Sequence, residues 1–480
     1  MLGLKSIKKI AFFTDAKYLL PVFLFLIVEY FLLLETPFFW DAISKAWRAT
    51  WIYENNFSSL IVPTEINSGH PPLWTTSLAL MWQFFGKSLW VSRLLLLFVN
   101  MGVFYQLYKL TKRLFAAHIP PVLFLFICLE PTLLAQTSSL NNDMLLLFFT
   151  LLGCNALLRS KSLLLTLALL GALMTNLRGV YIFIALAVCH VLLYRNQYIK
   201  SAKYQLLPYS IAAIAFLLFA VYQYHEIGWA IITKQGDFAQ HREVATFQRL
   251  IKNALAYIKF YLEFGRIFVV IPVLVLLWKY RKLTIRFNEA THKTLLMLVV
   301  FAIVFFFGIV PFSNPSGPRY VMMAYILAMI LLVNLLYVLK LTKRIKKWLI
   351  LIVSIGLITG HFWIYPATIS QAWDSSFAYL NYFPVAEKMR AYIADNDIPQ
   401  DQVGTYLRWN EIDESYAREQ TEKANFKVPN IDQNQYIILS NVENSMPDKT
   451  RKIVSQSWVL KQKFAQLGVF VSLYKNPAYK

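Results

Sequence analysis

Cysteine is scarce in this 480-residue chain: there are three, Cys128, Cys154 and Cys189, and all lie inside apolar runs. That excludes a disulfide framework and a thiolate zinc site and points to buried packing residues. Charge is scarce too. Asp, Glu, Lys and Arg make up 15% of the residues while 58% are apolar, against roughly 25% charged and 45–50% apolar in soluble domains. The chain is therefore neither a soluble domain nor a disordered segment. It carries no Walker A loop, no glycine-rich dinucleotide turn after a strand and no His-Glu-x-x-His, so a nucleotide-driven reaction on the cytoplasmic side is not expected. No small-residue cleavage site follows the basic segment 1–17, and the apolar run behind it is long enough to span, so no cleavable signal is expected. No repeat of solenoid period and no low-complexity tract occurs.

Long apolar runs recur from Tyr18 to about Tyr365, the mark of a polytopic α-helical membrane protein. Acids are outnumbered, 26 to 47, for a formal charge of +21. The location of that charge decides its meaning. Segments 1–17, 109–113, 159–161, 195–203, 279–293 and 340–347 hold 22 Lys and Arg against two acids, Asp15 and Glu289. Short basic loops between spans read as cytoplasmic under the positive-inside rule, so the charge reports topology and calls for no nucleic acid.

Placing those segments inside predicts about 11 spans. They are 18–35, 88–108, 116–137, a fourth ending at Arg159, 162–175, 178–194, 206–224, an eighth returning to Lys279, 294–311, a tenth ending at Lys340, and 348–365. The N-terminus is then cytoplasmic and residues 1–370 form the transmembrane part, with a long first outer loop at 36–72. Leu73–Phe85 has no crossing left and is shorter than the roughly 20 residues a spanning helix needs, so it is expected to lie on or dip into the outer leaflet. From about Gln371 charged residues return. "VAEKMRAYIADNDIP" reads as an amphipathic helix and "QYIILS" and "GVFVSLY" as strands, giving a small α/β domain at 371–480 on the outer face.

Polar residues near the membrane collect on that outer side: Asp41, His70, Asp143, Arg178, His241, Glu243, Arg319 and Tyr320. Asp41 and Asp143 suit helix caps as well as a site, since carboxylates favour helix N-termini. His70 in "INSGHPPLW" precedes a proline-initiated helix. His241 reads first as a solvated loop residue. Arg178 and Arg319 sit at outer helix starts, against both the positive-inside rule and the helix dipole, and so call for an anion. That anion is either a protein carboxylate, with Asp143 available, or a phosphate held in the planar guanidinium fork. Glu29 and Glu130 lie within spans, where a carboxylate either serves function or pairs with a neighbouring helix.

The order of these motifs resembles the GT-C membrane glycosyltransferases. "FFWDAISKAWRATWIYENNF", "GHPPLWTTSLALMWQFFGKSLWVSRLLLLFVN" and "LYKLTKRLF" are similar to the N-terminal part of the protein O-mannosyltransferases and lipid A aminoarabinose transferases, glycosyltransferases of the family 39 type. "QTSSLNNDMLLLFFTLLGCNALLRS" resembles their second acidic site, "GALMTNLRGVYIFIAL" their basic hairpin tip and "GPRYVMMAYI" their late Arg-Tyr. The match spans roughly 35–200 and, locally, 311–325.

The resemblance implies a GT-C fold and sugar transfer from a polyprenyl-phosphate donor to a glycan, lipid or protein acceptor, at the outer face of a membrane such as the bacterial inner membrane. Asp41 would be the general base, with inversion at the anomeric carbon. Arg178 and Arg319, with Tyr320, would bind the phosphate; Asp143 would orient the acceptor or steady an arginine, and His70 would wall the site. Family members commonly carry a second acid beside the first, whereas Ala42 follows Asp41 here, which leaves Glu35, Glu54 and Glu65 as alternative bases. No cofactor is expected: a divalent metal, used by some GT-C relatives, wants more carboxylates than the outer loops supply. The competing class is a transporter or flippase of lipid-linked sugars. Transporters usually show repeats and midplane polar residues on broken helices, whereas here the polar residues cluster at one face.

Overall fold

The computed structural model describes residues 2–115, 119–200, 206–232, 243–282, 288–314, 316–339, 341–366, 369–410 and 425–479, with side chains from Tyr18 and its near neighbours onward. The helical part comprises α1 Leu2–Leu32, α2 Asp41–Glu54, α3 Leu73–Phe85, α4 Leu89–Leu114, α5 Pro121–Cys128, α6 Pro131–Ser138, α7 Asp143–Leu158, α8 Ser162–Thr175, α9 Gly179–Arg195, α10 Leu207–Ile227, α11 Phe247–Phe260, α12 Ile267–Lys282, α13 Glu289–Ile309, α14 Met322–Val338 and α15 Lys343–Gly360.

Among the described residues, α4, α10, α13 and the stretch Pro318–Val338 are long and apolar enough to cross a membrane, and several shorter apolar helices accompany them. α14 is buried on every side from Met322 to Leu336, as a helix that is apolar all round should be. It packs against α5, α7, α12 and α13, so it is the central post of the bundle. At its foot Asn334 donates to the Leu114 carbonyl at 2.7 Å, tying the post to the end of α4.

One expected span is not continuous. Within it, Pro121–Cys128 and Pro131–Ser138 are separate helices, α5 and α6, bent by 71°. Pro131 explains the break, since it lacks an N–H and clashes with the preceding turn. Glu130 then restarts the helix as its cap, accepting from the Leu133 N–H at 2.6 Å. α3, at 13 residues, reaches about 20 Å, short of the ~30 Å hydrocarbon core. Trp74, Leu78, Ala79 and Trp82 bury its inner face against α2 and α4. After α10, Thr246 accepts from the Arg249 N–H and opens α11.

Beyond α15, helix α16 (Tyr382–Asp395) covers one face of a four-stranded sheet built from β1 Val403–Gly404, β2 Tyr436–Ser440, β3 Val459–Gln466 and β4 Val469–Lys475, with helix α17 (Asp448–Ser457) between β2 and β3. The strand order is β1-β2-β4-β3, with β1 and β2 parallel and the other pairs antiparallel. The expected helix and both expected strands are present. β3 was not anticipated, because its residues are mostly exposed and polar. Leu467 and Gly468 both have positive φ, the two-residue hairpin geometry that matches strand twist.

Candidate active site

The segment between α1 and α3 carries α2, whose sequence places Asp41, Ser44, Lys45 and Arg48 at helical spacings of three and four, hence on one face. That face lines a cavity of about 300 Å³, together with Ser68, His70, Asn176, Arg178 and Tyr320. Asp41 does not act as a side-chain cap. Trp40 is the residue before the helix, at φ 46°, an uncommon conformation for a bulky side chain. It is held there by packing on Phe39 and Tyr382 and by Arg408, which donates to its carbonyl at 3.2 Å. The outcome is that the Asp41 carboxylate leaves the helix and meets Arg319.

Arg319 is the hub of the site. Its Nη2 pairs with Asp41, its Nε lies 3.4 Å from Asp143, and its Nη1 pairs with Asp374. Asp143, the first residue of α7, is also held by Arg178, with Nη2 at 2.6 Å. Tyr320 stacks beneath both cations, with the Arg178 guanidinium 4.0 Å and that of Arg319 5.4 Å from its ring centre. The anion that both arginines called for is, in this structure, protein carboxylate.

Gly69 and His70 form the facing wall. Gly69 has φ 73°, and a Cβ there would collide with the Ile231 carbonyl oxygen, so only glycine lets the loop come this close. His70 is thereby brought to the Arg178 hairpin, where its Nδ1 accepts from the Leu177 N–H at 3.5 Å.

Charge in the site is uneven. Burial raises the Asp41 pKa, but Arg319, then Lys45 and Arg408, outweigh it and hold the carboxyl well below the ordinary range. Its carboxylate is half accessible (51%), through the cavity, so it is ionised and reachable. Burial pushes Lys45 down to about 7, opposed by Asp41 and reinforced by Arg319. Arg48 donates to the Ser44 carbonyl at 2.8 Å and to the Ser68 hydroxyl; no carboxylate ion pair is formed by Lys45 or Arg48 among the described residues. The cavity wall thus carries cationic charge that the acids behind it do not balance.

The structure therefore brings together Asp41, His70, Asp143, Arg178, Arg319 and Tyr320, six residues spread over nearly 280 positions. Asp143 and Arg319 form a layer behind the wall, lining a smaller adjoining space with Arg178 and Tyr320. His241 lies outside the described residues. Glu243 engages only through its backbone carbonyl, which accepts from Ser313, and does not line the cavity. Glu54 pairs with Lys87 at 3.2 Å on the surface. Glu130 pairs with Arg266 at 2.7 Å, the neighbouring-helix alternative for that intramembrane acid. Glu29 accepts from Thr137 at 2.9 Å. Lys45, Arg48 and Asp374 were missed. The first two were visible as the i+4 and i+7 neighbours of Asp41; nothing near Asp374 in sequence marks its partner. Among the described residues no three His, Cys, Asp or Glu side chains gather as metal ligands.

A bundle of apolar helices, one of them broken at Pro131, two short helices between α1 and α4 and a small carboxy-terminal sheet make up the fold of an integral membrane protein. The fold is shared by ArnT from Cupriavidus metallidurans. Its crystal structure bound to undecaprenyl phosphate superposes on 96% of this chain and 98% of that one, with a TM-score of 0.52 and 12% identity. The apo form aligns over 95% and 97%, at a TM-score of 0.48 and 12% identity. No family profile matches the chain, and no curated protein matches it in sequence. The resemblance drawn from the motifs is thus met at the level of fold.

Proposed function

We propose that the protein transfers a sugar from a polyprenyl-phosphate carrier to an acceptor, a glycan, lipid or protein, on the outer face of a bacterial inner membrane. The observation that carries this reading is the cavity itself: an ionised, reachable carboxylate on one wall, a surplus of buried cations around it, and a fold shared with a protein crystallised on undecaprenyl phosphate. In this reading Asp41 takes the proton of the acceptor hydroxyl as its oxygen attacks the anomeric carbon. The bond from that carbon to the phosphate oxygen breaks on the opposite face, and configuration inverts. General-base help of this kind is worth about 10²–10⁴-fold. Arg178, with Lys45 and Arg48, faces the leaving phosphate and stabilises the charge that develops on it. Arg319 adds its field from behind and steers Asp41. Asp143 steadies both arginines, Tyr320 supports their guanidinium planes, and His70 closes the wall beside them.

Residues 1–370, with 36–72 as the loop that forms the site, are read as the catalytic unit. Residues 371–480 are read as an extracytoplasmic α/β unit, with the N-terminus cytoplasmic and about 11 spans. No metal is assigned a part, because Arg319 already holds Asp41, Asp143 and Asp374.

Mass spectrometry of envelope glycans and lipid A, with and without the protein, tests the activity. One sugar-bearing species should vanish while its carrier-linked sugar accumulates; unchanged profiles would refute the reading. Orientation is tested by cysteine labelling in intact cells, with Ser58→Cys expected to react from outside and Lys161→Cys only after permeabilisation.

A further inference from the structure

Asp374 is the one member of the charged cluster that comes from beyond the helical bundle, and Arg319 does not need it to gain a carboxylate partner. Arg319 is already paired with Asp41 and Asp143, and burying a third carboxylate beside it costs free energy unless the carboxylate is held for a purpose. It is held firmly. Asp374 sits in a 3₁₀ turn, Trp373–Ser375, docked on α6. Its carbonyl accepts from Gln136 Nε2 at 2.8 Å, and the next carbonyl, of Ser375, accepts from Thr132 at 3.2 Å. Its side chain is 11% exposed and faces Arg319 Nη1.

A guanidinium is planar and rigid. With Nη1 paired to Asp374 and the Asp143 carboxylate 3.4 Å from Nε, the direction of Nη2 is set, and Nη2 is the donor that holds Asp41. We propose that Asp374 is a positioning residue: it sets the Arg319 fork, and through it the orientation and basicity of Asp41, so that the segment joining α15 to α16 is part of the active site. This rests on the proposed role of Asp41 as base. Asp374 also shares the charge of Arg319, which would otherwise fall wholly on Asp41 and weaken it as a base. The charged groups facing Asp41 are Arg319, Lys45, Arg408 and Arg48, and Asp374 tempers the first of these.

The test compares Asp374→Asn with Gln136→Leu in the full-length protein. The second variant cuts the backbone tether but leaves the carboxylate in place. Asp374→Asn should lower kcat by roughly 10- to 100-fold, the cost of a small misplacement of a reacting group. KM for the carrier-linked donor should stay within about twofold, and the acidic limb of the rate profile should move to lower pH. Gln136→Leu, which loosens the turn but keeps the charge, should lower kcat less than Asp374→Asn does and leave the pH limb near wild type. Wild-type kcat in Asp374→Asn, or an equal loss in both variants, would overturn the proposal. A readout independent of turnover keeps the two ideas separable. Labelling of Arg319 by phenylglyoxal, read by mass spectrometry, should rise in Asp374→Ala and not in Gln136→Leu. If the wild type transfers no sugar but the labelling behaves so, the role of Asp41 fails and the link from Asp374 to Arg319 stands; unchanged labelling removes the link itself.

Discussion

The arginine–carboxylate centres at Arg266 and at Arg319 are built for different ends. Around Arg266, Nε and Nη2 both bind Glu130 at 2.7 Å, Nη1 reaches the Phe260 and Glu263 carbonyls, Nη2 also reaches Thr132, and the Tyr325 ring lies 3.9 Å from the guanidinium. Both side chains are sealed, at 3% and 1% exposure. Around Arg319 the acids outnumber the arginine three to one, and one of them, Asp41, opens onto a cavity whose wall adds Lys45, Arg48 and Arg178. The chemistry of the two pairs is alike; access differs. Burial of a charge in a membrane protein therefore does not by itself mark function. A charge left reachable, beside other charges that it does not neutralise, does.

The largest effect that separates the centres is catalytic. Asp41→Asn should lower turnover by about 10²–10⁴-fold with the melting temperature close to that of wild type; turnover near wild type would remove Asp41 from the chemistry. Next comes stability. Arg266→Met leaves Glu130 buried and unpaired, a change that costs about 3–5 kcal/mol when a buried pair is broken. Turnover per folded molecule should survive, and a stable but inactive variant would show that the sealed centre works in the site.

A smaller effect is expected from Arg48→Gln, which keeps a polar side chain against Ser68 but removes a cation from the cavity wall. The donor KM should rise severalfold while kcat holds, as for a contact made equally before and during reaction. A fall in kcat with an unchanged KM would place Arg48 in the chemical step instead.

The smallest effect is a pH slope. Lys45 has its pKa depressed to about 7, so it is charged below that pH and neutral above it. Attraction for an anionic carrier should fade as the pH rises through that value. The sugar-free carrier, a phosphate monoester, gains charge over a similar range, since its second ionisation lies near 6, which pulls the other way; the sugar-bearing phosphodiester does not. The slope due to Lys45 is thus the difference between wild type and Lys45→Met, and parallel profiles would assign the titration elsewhere.

Much of this comparison was legible before any coordinates. Basic loops and apolar runs place most helices, because the hydrocarbon core dictates length and the positive-inside rule dictates order. Arg178 and Arg319 stood out by lying on the wrong side for their charge and His70 by preceding two prolines, while Asp41, Asp143 and Tyr320 were marked by the motifs of the resemblance. The limits were equally physical. Glu130 and Glu29 looked as functional as Asp41, since a single intramembrane carboxylate does not disclose whether a distant arginine will seal it, as Arg266 seals Glu130 from the far side of the sequence. Asp374 pairs across 55 positions with Arg319, a contact that no local pattern encodes. The kink at Pro131 was written in the sequence, but an apolar run on both sides hid it.

The central claim is that the Arg319 cavity, and not the sealed centre, is where a polyprenyl phosphate sits. Thermal unfolding with added undecaprenyl phosphate tests it directly, because a ligand that binds only the folded state raises the melting temperature as its concentration exceeds its dissociation constant. The wild type and Arg266→Met should each be stabilised relative to their own ligand-free baselines, and a variant combining His70→Ala with Arg178→Ala should not respond. No shift in the wild type, or an equal shift in the cavity variant, would contradict the account.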